Sequence, residues 1–238
     1  MTVLVGILCQ DGVVLGSDSS ATFGAFPHYK TIEQTVKKTA IAGNVFLHAG
    51  TGQIGLGQRF HAVLEKVAVS HDPRRNDSAA VDIGKVICQN AIKDFASTNC
   101  EKGQFGALVA YIGPNKKFGL IEFPSVDFQP ELKTNDLWFA SMGSGQPIVD
   151  PFFGLLRSAL FNKEQPRLNE GIFAAVWALQ HVIELNTGGI NGPPQLGVIA
   201  KDNSDKFFEA RLLSEDELVE HQQNVSAMTV YVAAYRDI

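Results

Sequence analysis

The sequence predicts an α+β fold in which antiparallel sheets are flanked by helices gathered in pairs. Three observations carry this. Short β-branched runs meet at Asp11-Gly12 and at Gly43-Asn44, turn sequences whose residues tolerate the positive φ of tight hairpins. Apolar residues then recur at helical three-and-four spacing in two successive pairs of stretches, one within 52–97 and one within 148–184. Between those pairs the chain returns to hairpins instead of alternating strand with helix, which speaks against a parallel sheet.

Taken in order, residues 3–9 and 12–17 are the first two strands, adjacent through the Asp11-Gly12 turn. Residues 19–34 are polar, rich in Ser, Thr, Gly and Phe, and without a clear period, so they predict an excursion outside the core. Residues 38–42 and 45–49 flank Gly43-Asn44 as a second hairpin. From Gly52, the positions Ile54, Leu56, Phe60, Val63, Leu64 and Val67 form one apolar helical face, broken by the polar run 71–77. Asp77-Ser78 are placed to cap a second helix over 79–97. Residues 105–112 and 118–123 predict a third hairpin and 137–142 a further strand, which ends in Gly143-Ser144-Gly145. A second helix pair spans 148–161 and 169–184, a Gly/Pro loop spans 188–194, and strands are predicted at 196–200 and 207–212. Ser214-Glu215-Asp216-Glu217 reads as a capping box opening a short helix, and 229–235 as a closing strand. No repeat, linker or composition shift divides residues 1–238, which predicts a single domain.

Composition excludes several classes of function. A formal charge of −5 over 238 residues gives no footprint for nucleic acid or an anionic membrane. Cys9, Cys88 and Cys100 are odd in number and lack CxxC spacing, so neither a disulfide framework nor a zinc site is expected, and the histidines are scattered without metal-ligand spacing. No metal or cofactor is predicted. The absence of a long apolar run or a secretory start points to the cytoplasm.

Thr2 would expose a nucleophilic hydroxyl beside its own α-amine once Met1 is removed, and that amine can act as base. Asp18 ends an apolar strand and either caps a turn or points into a site. Lys37 and Lys38 open the third strand, and alternation puts one of them on the inner face with Ala40 and Ala42. His48 precedes Ala49-Gly50-Thr51-Gly52, where backbone amides leading into a helix could face a developing oxyanion. Gly143-Ser144-Gly145 lacks the G-x-S-x-G frame of a nucleophilic serine and reads on its own as a tight turn.

Together these segments resemble the proteasome β-subunit and HslV family of N-terminal-nucleophile hydrolases. The resemblance covers nearly the whole chain and is most specific over 2–52: Thr2, Val5-Gly6-Ile7, Asp11-Gly12-Val13-Val14-Leu15, Ser17-Asp18-Ser19-Ser20-Ala21-Thr22, Gln34-Thr35-Val36-Lys37-Lys38 and Ala49-Gly50. It implies a four-layer αββα sandwich, with Thr2 as nucleophile, Lys38 lowering the proton affinity of its hydroxyl and amine, and Asp18 orienting that lysine. Lys37 is the alternative. It further implies that Gly50 donates to the oxyanion, that Ser144 hydrogen-bonds the terminal amine, and that Ala21, Val36, Ala40 and His48 line the substrate pocket. In that pocket, protonation of His48 towards pH 6 would favour cleavage after acidic residues. Glu184-Leu185-Asn186-Thr187-Gly188-Gly189 is similar to the family's Asp-x-x-Ser-Gly-Gly, which puts Glu184 and Thr187 in supporting positions. Both depart from the pattern, glutamate being one methylene longer than aspartate.

The implied activity is a threonine endopeptidase cleaving peptides or unfolded proteins inside a stacked double ring of identical subunits. A tetradecamer or a dodecamer is implied, with an ATPase unfoldase as partner, and the bacterial proteasome homologue (BPH) type is the most similar branch. The helices of 52–97 are expected to present apolar surface to neighbouring subunits. Two other functions share these features: an N-terminal-nucleophile amidase or acylase acting on a small molecule, and a ring subunit impaired by changes such as Glu184.

Overall fold

The computed structural model describes residues 1–25, 29–74, 80–99, 104–114, 117–185, 189–201 and 208–234. Two five-stranded antiparallel sheets lie face to face. The first has strand order β10-β1-β2-β11-β12, built from β1 (Val3–Cys9), β2 (Gly12–Ser17), β10 (Phe139–Gly143), β11 (Gln195–Lys201) and β12 (Phe208–Leu212). The second has order β5-β6-β7-β8-β9, from β5 (Thr39–Ala42), β6 (Phe46–Gly52), β7 (Phe105–Ile112), β8 (Phe118–Phe123) and β9 (Glu131–Leu132). Helices α1 (Ile54–Ser70) and α2 (Ala80–Ala96) cover the second sheet, while α3 (Gln146–Ala159) and α4 (Leu168–Glu184) cover the first. The αββα sandwich is thus the observed fold.

Every residue of β1, β2 and β7 is buried, because each of these strands has a helix layer on one face and the opposing sheet on the other. Leu4, Val5, Leu15, Leu47, Leu108 and Leu120 fill the space between and around the sheets, whereas Phe46, Phe60, Leu64 and Phe123 fill the space under α1 and α2. The Asp11 turn has a second use: its carboxylate accepts the Leu168 N–H at 2.7 Å, satisfying one of the orphan donors at the start of α4. Gly43 and Asn44 sit at φ of +58° and +54° in the β5–β6 turn, the left-handed conformation their sequence predicts.

Several expectations are corrected by the structure. The excursion after Ser19 contains a two-stranded sheet of β3 (Ser20–Ala25) and β4 (Tyr29–Thr35); it lies outside the two main sheets, so no burial period marks it in the sequence. The stretch predicted to close a sheet is instead the end of α5 (Glu215–Ala234). The Ser214 box does form, with Glu217 N–H on Ser214 Oγ and Ser214 N–H on the Glu217 carboxylate. Propagation from that nucleus carries the helix through Thr229-Val230-Tyr231-Val232 despite their β-propensity. The α1–α2 pair exposes only Ile54, Val69 and Ile92 among its described large apolar side chains, so the expected excess of apolar surface on these helices is absent there. The cap predicted at Asp77-Ser78, and Cys100, lie outside the described residues.

Candidate active site

Sheet pairing assembles the site from four distant segments. The β1–β2 register, with Leu4 opposite Ser17, brings Asp18 beside the start of β1, where Val3 N–H donates to Asp18 Oδ1 at 3.0 Å. The β1–β10 register, with Val3 opposite Gly143, brings Ser144 beside Thr2 across a separation of 142 positions. The Thr2 N–H donates to Ser144 Oγ at 3.1 Å, and the Thr2 carbonyl accepts from Gly145 N–H at 3.2 Å. Gly143 has φ +89°, and a Cβ there would stand 2.4 Å from the Thr2 carbonyl oxygen. Only glycine allows β10 to end this close to Thr2.

Lys38 enters from the segment just before β5. Its Nζ donates to Asp18 Oδ1 and Oδ2 at 2.8 and 2.9 Å and to Thr2 Oγ1 at 3.1 Å. Asp18 is fully buried and also accepts Ser20 N–H at 3.1 Å. Two backbone donors and one ammonium therefore satisfy a carboxylate that would otherwise be costly to bury. Burial lowers the pKa of Lys38 from its usual value, and the neighbouring Asp18 charge and hydrogen bond oppose that shift only in part. Met1 precedes Thr2, so the Thr2 nitrogen is an amide, and the Met1 carbonyl accepts from the same Nζ at 3.3 Å.

The Thr2 and Lys38 side chains open on a cleft of 560 Å³ that is also lined by Ala21, Val36, Ala40, His48 and Gly50. All four residues expected to contact substrate thus face one cavity. The sequence profile of the proteasome subunit family matches residues 2–191. The chain belongs to the proteasome subunit family. Subunits of that family assemble into multi-subunit ring particles of the peptidase-hydrolase type. No curated protein matches the chain.

For a proteasome subunit, the remaining expected positions divide. Lys38, not Lys37, makes the contacts with Thr2 and Asp18; Lys37 is exposed along the same cleft. The Gly50 N–H reaches the Lys38 carbonyl at 3.4 Å, longer than an ordinary backbone bond and so a weak engagement. Glu184 is exposed at the end of α4, and among the described residues nothing joins it to Thr2 or Ser144. Thr187 lies outside the described residues.

His48 requires a correction. It is 6% exposed, its Nε2 faces His61 Nδ1 at 2.9 Å, and burial together with His61 pushes its pKa down to about 3. The imidazole stays neutral at pH 6, so it cannot attract acidic residues by gaining charge there. Sequence reasoning also missed His61 itself. Ile54, Gly57, Gln58 and His61 all line the cleft from α1, and their three-and-four spacing was a legible second stripe beside the apolar one. Gln195 was missed too: its side chain holds the Val36–Thr39 backbone beside Lys38, and no periodicity marks such a residue. Among the described residues no helix is long and apolar enough to cross a membrane.

Proposed function

We propose that this chain is a threonine-type endopeptidase subunit whose nucleophile is Thr2 after removal of Met1. The observation that carries this is the single ammonium of Lys38 touching both Thr2 Oγ1 and the buried Asp18 carboxylate. With Met1 gone, the Thr2 α-amine takes the hydroxyl proton while Oγ1 attacks the substrate carbonyl carbon. The resulting oxyanion is stabilised by the Gly50 N–H, whose present bond is weak enough to exchange. The amine proton then passes to the leaving nitrogen as the peptide bond breaks, and water hydrolyses the acyl ester on Thr2 to regenerate the enzyme. Lys38 lowers the proton affinity of the amine by charge repulsion, which brings its base function closer to neutral pH. Ser144 holds the Thr2 nitrogen, and Ala21, Val36, Ala40 and His48 bound the space for the substrate residue before the cleaved bond.

The same reading takes residues 1–238 as one domain of a closed, cytoplasmic double ring of identical subunits, sevenfold in preference to sixfold and of the BPH type, acting on peptides or unfolded proteins delivered by an ATPase unfoldase. A second reading, a ring subunit with impaired catalysis, is favoured by one observation: Glu184, in a supporting position of the family, faces solvent, and among the described residues nothing joins it to Thr2 or Ser144. Treatment of the mature protein with a peptide epoxyketone separates the two. A mass increase of one inhibitor per chain supports the peptidase, because that adduct needs both the hydroxyl and the free amine. Unmodified Thr2-starting protein would refute it.

A further inference from the structure

The residues leading to Lys38 have no strand to hold them. β4 ends at Thr35 and β5 begins at Thr39, so the peptide groups of 36–38 need partners from elsewhere. Val36 N–H finds the Ser19 carbonyl at 2.8 Å. Most of the rest is done by one side chain from the opposite sheet: Gln195 Nε2 donates to the Val36 carbonyl at 2.7 Å, while Gln195 Oε1 accepts Lys38 N–H at 2.8 Å and Thr39 N–H at 3.3 Å. An amide is the only neutral side-chain group that donates and accepts in this way at one end of an aliphatic stem.

Gln195 is itself fixed. It opens β11 and pairs with Ser17 of β2, the residue immediately before Asp18. Ser17 Oγ in turn shares a buried 2.9 Å hydrogen bond with Thr39 Oγ1, the residue immediately after Lys38. The strand end that presents the carboxylate and the segment that presents the ammonium are therefore tied together through Ser17 before Asp18, by Gln195 and by Thr39 Oγ1, and through the Ser19 carbonyl after it, by Val36 N–H.

We propose that Gln195 is a positioning residue for Lys38: it sets the lysine backbone in register with β2, so that Nζ reaches Asp18 and Thr2 Oγ1 together. The inference rests on the peptidase reading of Thr2 and Lys38. Gln195 does not line the cleft and reaches it only through the Val36 backbone, so its loss should act on the chemical step more than on substrate binding; there a displacement of about 1 Å can cost on the order of a hundredfold in rate. The groups facing the Lys38 ammonium are the Asp18 carboxylate from the end of β2, the Thr2 hydroxyl and Met1 carbonyl before β1, and, at longer range, the Glu33 charge from β4. Any drift away from Asp18 removes a contact that raises the lysine pKa and leaves the burial that lowers it.

The test uses mature, assembled protein with Thr2 confirmed as its first residue by mass, and peptide hydrolysis is measured across pH. Gln195→Met keeps the stem and removes all three hydrogen bonds. We expect kcat about tenfold or more below wild type, KM within about twofold, and the alkaline limb of the kcat profile at lower pH. Gln195→Glu keeps the acceptor for Lys38 and Thr39 but replaces the donor to Val36 by a second acceptor oxygen that faces the Val36 carbonyl, so its kcat should also fall below wild type. If Gln195→Met does not fold, the expected drop in kcat at unchanged KM is read from Gln195→Glu against wild type. Wild-type kcat and pH profile in the folded Gln195 variant, alongside an inactive Thr2→Ala, would overturn the positioning role alone. Wild-type hydrolysis by Thr2→Ala would overturn the peptidase reading and the inference with it.

Discussion

Removing the Lys38 ammonium should destabilise the protein as well as silence it, and the structure sets the size of the effect. Asp18 is fully exposed to the consequences because it is fully buried: its carboxylate holds Nζ at 2.8 and 2.9 Å, and only the N–H groups of Val3 and Ser20 remain once the lysine is gone. Deleting one partner of a buried ion pair costs about 3–5 kcal/mol, since the remaining charge is uncompensated. The two surviving backbone donors put Lys38→Met at the lower end, about 3 kcal/mol. For a chain of this size that corresponds to a fall in Tm of roughly 6–12 °C. Adding Asp18→Asn removes the stranded charge and leaves one N–H short of an acceptor, a penalty of about 1 kcal/mol. The double variant should therefore be more stable than Lys38→Met by about 2 kcal/mol, a strongly non-additive cycle. Urea unfolding at one fixed protein concentration measures all four corners while holding subunit association constant. Additive losses, or a Lys38→Met cost below about 1 kcal/mol, would show that the pair contributes no such compensation.

Peptide hydrolysis should vanish in Thr2→Ala and in protein retaining Met1, while Thr2→Ser keeps measurable turnover because it retains hydroxyl and amine but loses the methyl group that restricts the rotamer; substrate cleavage by the Met1-bearing form would contradict this. Gly143→Ala should lower stability by about 1–3 kcal/mol and displace Thr2, since it forces a side chain into the left-handed region against the Thr2 carbonyl; thermal unfolding and initial rates report the two effects separately. The His48 pKa of about 3 lies below the unfolded value of 6.5, so below pH 6.5 the unfolded chain takes up a proton that the folded chain refuses. Its contribution to stability is complete above pH 6.5 and declines as pH falls towards 3, by up to about 1.4 kcal/mol per pH unit. His48→Gln should flatten that slope in urea midpoints measured between pH 4 and 7, and an identical slope in both proteins would refute the assignment. For the same reason the wild-type preference between acidic and apolar residues before the cleaved bond should not follow a His48 titration between pH 5.5 and 8.

Much of the sandwich was legible because its signals are local. Asp11-Gly12 and Gly43-Asn44 declare their turns through backbone chemistry, and Leu56, Phe60, Val63, Leu64 and Val67 declare a helix through spacing alone, whatever they pack against. The residues around Thr2 and Asp18 were legible in another way, through an ordered set of short motifs resembling a family, and it is the family that accounts for Ser144 having been singled out at all. Where a signal depends on a partner the sequence was silent or misleading. Thr229 to Val232 have strand-forming side chains, yet they continue a helix begun at the Ser214 cap. The choice between Lys37 and Lys38, adjacent and chemically alike, was decided by which one stands over Asp18 when the two sheets close. The neutrality of His48 follows from burial against His61 and Phe60, which no neighbour in sequence announces. Gln195 matters through three hydrogen bonds to residues more than 150 positions away. By itself the sequence determined most of the hairpins and helices, the motifs around Thr2 and Asp18, and the family; the tertiary structure decided which groups share an environment, because charge state and hydrogen-bond partnership are properties of packing and not of order along the chain.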